Sequence, residues 1–195
     1  MGEIKSAWEK AMEKANNLGK LSPDEADKLK YGPLGNALAA QYLREKGYDI
    51  EAELTKYKGS AAMRYITGGA EEVLLGNIFL PRSEQSKQDV KKAMAGIKLL
   101  KKDRKRVEVI LDQINNLVSY YEQARQQAFM QLKSNFTARL QQAAANSGQQ
   151  PGARVSVDPE RQPQFQEAWL KISSQLDAQY EKVLQEQKQQ ISKIA

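Results

Sequence analysis

The sequence predicts an all-α protein: an N-terminal cluster of short helices, then a long, coiled-coil-like antiparallel helical hairpin. Three observations carry this reading. Between Pro81 and Gly148 the chain has no proline and one glycine, Gly96. Apolar residues recur at spacings of three and four through most of the chain, the period of an amphipathic helix. Strand-like alternation is nearly absent, since Val155 and Val157 are too few to make a strand.

Residues 1–80 read as the short-helix unit. Ile4, Trp8, Ala11, Ala15 and Leu18 share one helical face, and Gly19 stands where a left-handed terminator belongs. Ser22, Pro23 and Glu25 follow as N-cap, N1 and N3 of a capping box, which satisfies two helix-end donors with side chains. Glycines at 32, 47, 59 and 68–69, with Pro33, divide the rest into helices near 23–31, 34–46, 50–58, 60–67 and 70–79. Tyr31, Tyr42, Tyr48, Tyr57 and Tyr65 interleave with leucines and read as core.

The second unit, 84–195, reads as a helix over 84–145, a loop over 146–162 and a helix over 163–195. Ser83 or Ser86 is placed to cap the first helix, which would be roughly 90 Å long if straight. The helix-pairing seam runs through Val107, Leu111, Ile114, Val118, Tyr121 and Phe136 on the first helix, and Trp169, Leu176 and Leu184 on the second. A regular antiparallel register sets Trp169 near Phe136, Leu184 near Tyr121 and Ile194 near Leu111. The second helix spans only about 50 Å, so the stretch 84–110 must bury its apolar face elsewhere. The 1–80 unit and a second copy are the two candidates. Because a lone two-helix hairpin buries one seam, and a second hairpin would make a four-helix bundle, a homodimer is expected.

Charge is concentrated. The chain carries 30 Lys and Arg against 24 Asp and Glu, a formal net charge of +6. From Arg82 to Arg106 there are ten basic residues and three acidic ones, so this stretch holds the whole surplus. On a continuous helix Lys87, Lys91, Lys98, Lys102 and Lys105 form a stripe opposite the apolar face. Such a stripe is most simply a solvated face. Its functional alternative is sequence-indifferent binding to nucleic-acid phosphates or another acidic partner. No aromatic residue interleaves with it to stack on bases.

Chemistry is sparse. The chain has no histidine and no cysteine, which removes the usual neutral-pH base, thiol nucleophiles, disulfides and thiolate metal sites. Asp24-Glu25, Glu51/Glu53 and Glu71-Glu72 read as capping or surface carboxylates. Lys58-Gly59-Ser60 and Thr67-Gly68-Gly69 do not match a phosphate loop. No catalytic residue, metal or cofactor is expected. The opening has no apolar signal-peptide core and no long apolar run occurs, so a cytoplasmic protein without a membrane span is expected. The sum is a non-enzymatic scaffold or adaptor that binds protein through its helices.

Met1-Gly-Glu-Ile-Lys-Ser-Ala-Trp-Glu-Lys-Ala-Met-Glu-Lys-Ala15 and Leu18-Gly-Lys-Leu-Ser-Pro-Asp-Glu25, with Lys30-Tyr-Gly-Pro-Leu-Gly35 and Leu54-Thr-Lys-Tyr-Lys-Gly59, resemble a recurring family of small uncharacterised prokaryotic proteins. The resemblance spans about the first 80 residues. It implies a cytoplasmic helical protein with no assigned activity, and it carries no functional residues over.

Overall fold

The computed structural model describes residues 22–146 and 158–194. The expected helix through Ile4 and Leu18, its terminator Gly19 and the centre of the 146–162 loop lie outside them. Among the described residues the chain is all-helical, with six α-helices, one 3-10 turn and no strand. It divides into two compact units, Met1–Gly76 and Asn77–Ala195. No helix among the described residues is long and apolar enough to cross a membrane.

In the first unit the helices are α1 (Pro23–Arg44), α2 (Ile50–Thr55) and α3 (Met63–Gly76). The capping box starts α1: the Ser22 hydroxyl accepts from the Glu25 amide and the Glu25 carboxylate accepts from the Ser22 amide at 2.9 Å. Two expected breaks do not occur. Helix α1 runs through Gly32-Pro33 and α3 through Gly68-Gly69. Pro33 is exposed, so water can serve the Leu29 carbonyl that its ring deprives of a donor. Gly35 and Gly69 serve contact rather than termination. A Cβ on Gly35 would overlap the Ile66 carbonyl, and one on Gly69 the Gly32 carbonyl. The two backbones therefore touch. Asn36, with its amide turned to donate, reaches the Gly69 carbonyl at 2.9 Å. Gly47 and Gly59 do end segments, at φ of 79° and 84°.

The second unit holds α4 (Glu84–Leu100), α5 (Arg104–Asn146), a 3-10 turn (Pro159–Arg161) and α6 (Pro163–Ser192). Ser83 is the cap of α4, paired with Ser86, and the last helix starts at Pro163. The continuous helix over 84–145 is not formed. The chain breaks at Lys101–Asp103 and doubles back, so that Lys87 pairs with Glu122 at 2.7 Å and Lys98 with Glu108 farther along. Lys101 adopts extended backbone (φ −90°, ψ 140°), and the Asp103 carboxylate accepts from the Arg106 amide at the start of α5. The fold-back turns one straight apolar stripe into two facing ones. Val90, Ala93, Met94 and Ile97 of α4 and Val107, Leu111, Ile114 and Val118 of α5 are all buried. Each Val, Leu, Ile or Met among them contributes about 1.5–3 kcal/mol on full burial, together more than the few helical hydrogen bonds lost at the break.

Helix α4 is thus antiparallel to α5. The residues that flank it reach α6 and the residue beyond its end: Arg82 bonds Asp177 at 2.6 Å, and the Lys101 ammonium donates to the Ile194 carbonyl at 2.5 Å. A third helix from the same chain therefore covers the 84–110 apolar face, and the packing argument for a homodimer loses its ground there. With 17 residues α4 spans about 25 Å, whereas α5 with 43 spans about 65 Å. Three helices pack together near the 101–103 break. Farther out, among the described residues, α5 has α6 and the 3-10 turn beside it, where Lys133 bonds Glu160 at 2.5 Å.

The register of α5 on α6 also differs from expectation. Trp169 packs on Phe129, with ring centroids 5.0 Å apart, instead of on Phe136; Phe136 meets Phe165 at 5.4 Å. Tyr121 meets Tyr180, one turn before Leu184, and the Ile194 carbonyl accepts from Lys101. For Trp169 the offset is seven residues, one heptad. For Phe136 and Tyr121 it is four, and slips of four or seven residues both return a residue to nearly the same helix face, so periodicity does not detect them.

Candidate functional site

Among the described residues, the furrow between α5 and α6 is filled by α4 near the break and is open beyond the start of α4. Heptad spacing defines the covered face. Asp177 and Lys188 of α6 point to the segment before α4: Asp177 bonds Arg82, and Lys188 donates to the Ile78 carbonyl at 3.0 Å. Burial holds the Lys188 ammonium below its usual pKa. Leu170, seven residues before Asp177, continues this face and is 66% exposed. On α5, Glu122 pairs with α4, and Phe129 comes seven residues later. Met130, beside Phe129, is 59% exposed.

Before the start of α4, the furrow opens into a cavity of about 450 Å³ lined by Arg82, Ser83, Tyr121, Arg125, Phe129 and Trp169, among others. Asp177 anchors two of its lining residues, Arg82 and Tyr121. One carboxylate oxygen accepts from Arg82, and the other accepts from the Tyr121 hydroxyl at 2.7 Å. Burial, and then this hydrogen bond, raise the Tyr121 phenol above its ordinary pKa. Arg125 stacks its guanidinium 5.3 Å from the Trp169 ring centre, a cation–π contact. Its Nε is buried and makes no hydrogen bond among the described residues. Glu84 and Glu122 complete a rim of both signs. The arrangement offers an aromatic floor, two guanidinium groups and two carboxylates. That suits recognition of a side-chain-bearing surface.

The predicted lysine stripe is divided between two helices. Lys87 and Lys98 are on α4 and pair with Glu122 and Glu108, while Lys91 is exposed on α4. Lys102 lies in the break and Lys105 on α5, both exposed. A stripe needs one unbroken helix, and the turn at 101–103 removes it. The seam residues are brought together: Val107, Leu111, Ile114, Val118, Tyr121 and Leu184 are buried, and Phe136, Trp169 and Leu176 half-buried. Sequence reasoning missed Arg82, Phe129 and Asp177. Phe129 was legible, because Arg125, Phe129, Leu132 and Phe136 are spaced by four, three and four as regularly as the alanine-containing seam. Among the described residues no cluster of three acidic side chains is placed to hold a metal ion.

No curated protein and no solved structure matches the chain. A family model does, over residues 51–193. That range takes in the described part of the second unit up to Lys193 and the Leu54–Gly59 segment, and leaves out the opening residues that carry the resemblance noted above. Since the match covers well over half of the chain, the protein belongs to DUF6657, a family of unknown function.

Proposed function

We propose that the protein is a non-enzymatic helical adaptor whose open α5/α6 furrow receives an amphipathic helix of a protein partner. The observation that carries this reading is continuity. The furrow that α4 fills extends past the start of α4 with the same helical walls, an aromatic floor and exposed Met130 and Leu170 at its edges. A helix in a groove is a recurrent recognition mode, with anchors spaced by three and four residues. The lack of histidine and cysteine fits a binding role better than a catalytic one.

The test is affinity capture from lysate with and without nuclease, comparing the native chain with Leu170→Glu, Met130→Glu and Val109→Glu. Val109 is 59% exposed on α5 in the three-helix half and serves as control. A nuclease-resistant partner should be lost with the first two variants and kept with the third. Capture that is indifferent to Leu170→Glu and Met130→Glu, or that vanishes with nuclease, refutes the reading.

A further inference from the structure

The break between α4 and α5 is unusual for what it lacks. Lys101-Lys102-Asp103 contains neither glycine nor proline, the residues that ordinarily terminate a helix. The apolar pattern of Val90, Ala93, Met94 and Ile97 continues in phase through Val107, Leu111 and Ile114, as it would on one straight helix. Arg104, Lys105 and Arg106 crowd the first turn of α5, where the helix dipole disfavours positive charge. At the break the Asp103 carboxylate caps the Arg106 amide, the Val107 amide bonds the Asp103 carbonyl, and Lys101 bonds the Ile194 carbonyl.

We propose that this connection is a hinge, and that the protein exchanges α4 with a second copy of itself. In the exchanged form residues 84–146 make one continuous helix, and α4 of each copy fills the α5/α6 furrow of the other. Because α4 is antiparallel to α5 within one chain, opening the hinge aligns the two long helices antiparallel about a two-fold axis at residues 101–103, which closes the assembly as a dimer. Every α4 contact is kept and only its partner chain changes, including Lys87 with Glu122, Lys98 with Glu108 and Arg82 with Asp177. The balance between forms therefore rests on the hinge and on protein concentration. Opening gains the missing helical hydrogen bonds and takes three basic residues out of a helix start. It loses the Asp103 cap and the Lys101 contact. The occupant of the open outer furrow is a separate matter, and neither reading depends on the other.

Hinge variants shift this balance in opposite directions. Lys102→Pro suits the folded-back form, because Lys101 already has the extended backbone that precedes proline. In a continuous helix the same proline costs about 3 kcal/mol at each hinge, so the dimer should weaken more than a thousandfold. Asp103→Ala removes the cap of the folded-back form. A cap is worth about a factor of five, and two hinges open together, so dimerisation should strengthen roughly thirtyfold. The experiment measures mass by light scattering over a concentration series, before and after refolding at high concentration, for the native chain and both variants. The chain has no cysteine, so a Lys87→Cys, Glu122→Cys double variant then reports which chains pair. Oxidation of its isolated dimer should give a covalent dimer on a non-reducing gel. A monomer under every condition, even with Asp103→Ala, overturns the proposal. So does a dimer that survives Lys102→Pro, or one whose cysteines close within each chain.

Discussion

Two adjacent glycines on α3 should respond to the same substitution with opposite signs. A Cβ on Gly68 would meet nothing within 4 Å. Gly68→Ala therefore gains only the helical preference of alanine, about 0.5–1 kcal/mol of stability. One residue on, a Cβ on Gly69 would overlap the Gly32 carbonyl and come within 3.0 Å of its carbon. Backbone of α1 cannot rotate away as a side chain would, so α1 and α3 must separate. Overpacking costs about 1–3 kcal/mol, and loss of the Asn36 bond to the Gly69 carbonyl adds about 1 kcal/mol. After the alanine gain is subtracted, Gly69→Ala should destabilise by about 2 kcal/mol, leaving the two variants about 3 kcal/mol apart. Native-state hydrogen exchange, read on peptides from α1 and α3 by mass spectrometry, gives the local opening free energy directly. If both variants slow exchange alike, the two backbones do not touch and the account of the first unit is wrong.

Asp177→Ala should cost the second unit about 1–3 kcal/mol in urea unfolding, since it leaves the Tyr121 hydroxyl and Arg82 without their shared acceptor; an unchanged midpoint would remove Asp177 as the anchor of α4. Above about pH 10 the second unit should lose stability. An unfolded tyrosine loses its proton near the ordinary value of 10.0 while folded Tyr121, facing Asp177, Arg82 and Arg125, still holds it. The folded state then binds more protons and stability falls as pH rises through the folded value. Tyr121→Phe should flatten that alkaline slope, and an equally steep one would refute the assignment. The divided lysines should not retard DNA or RNA in a gel at low salt; retardation that weakens steeply with salt and disappears in a Lys91, Lys102, Lys105 triple glutamate variant would restore the nucleic-acid alternative.

Local chemistry was legible wherever it was decided within a few residues. Ser22 with Glu25, Ser83 ahead of α4 and Pro163 at the start of α6 all announce helix ends by their own hydrogen-bonding or dihedral requirements. The all-α class and the buried seam from Val107 to Tyr121 follow from periodicity. What escaped was decided at a distance. Gly69 looks like a break until the facing helix is known, because close approach and termination use the same residue. The register escaped because a slip of one or two helical turns is invisible to a helical wheel. The fold-back at 101–103 escaped because its driving force is the burial of α4 on α5 and α6, while its local sequence favours continuing the helix. Asp103 was the available signal, a capping residue among lysines, and it read simply as one acid in a basic stretch.

The basic stretch itself acquires a different meaning once folded. Lys87 and Lys98 meet Glu122 and Glu108, and Arg82 meets Asp177, so the charge of α4 is matched by acids on the faces that receive it. These pairs are partly exposed and contribute little stability, about 0–1 kcal/mol each. Their use is selection: they identify the furrow α4 enters without distinguishing its own chain from another. Charge reversal separates the two cases. A chain with Lys87→Glu and Lys98→Glu mismatches its own furrow, and so does one with Glu108→Lys and Glu122→Lys. Mixed, each supplies the α4 that the other's furrow accepts, and four pairs are restored. At about 0.5 kcal/mol per pair, discounted for exposure, this is about 2 kcal/mol, roughly a thirtyfold preference for the mixed dimer at low salt. Native mass spectrometry of the mixture, refolded together, reads it directly. An excess of mixed dimer that fades as salt is added would mean that α4 has crossed between chains; a statistical distribution at every salt concentration would mean that these charges select nothing.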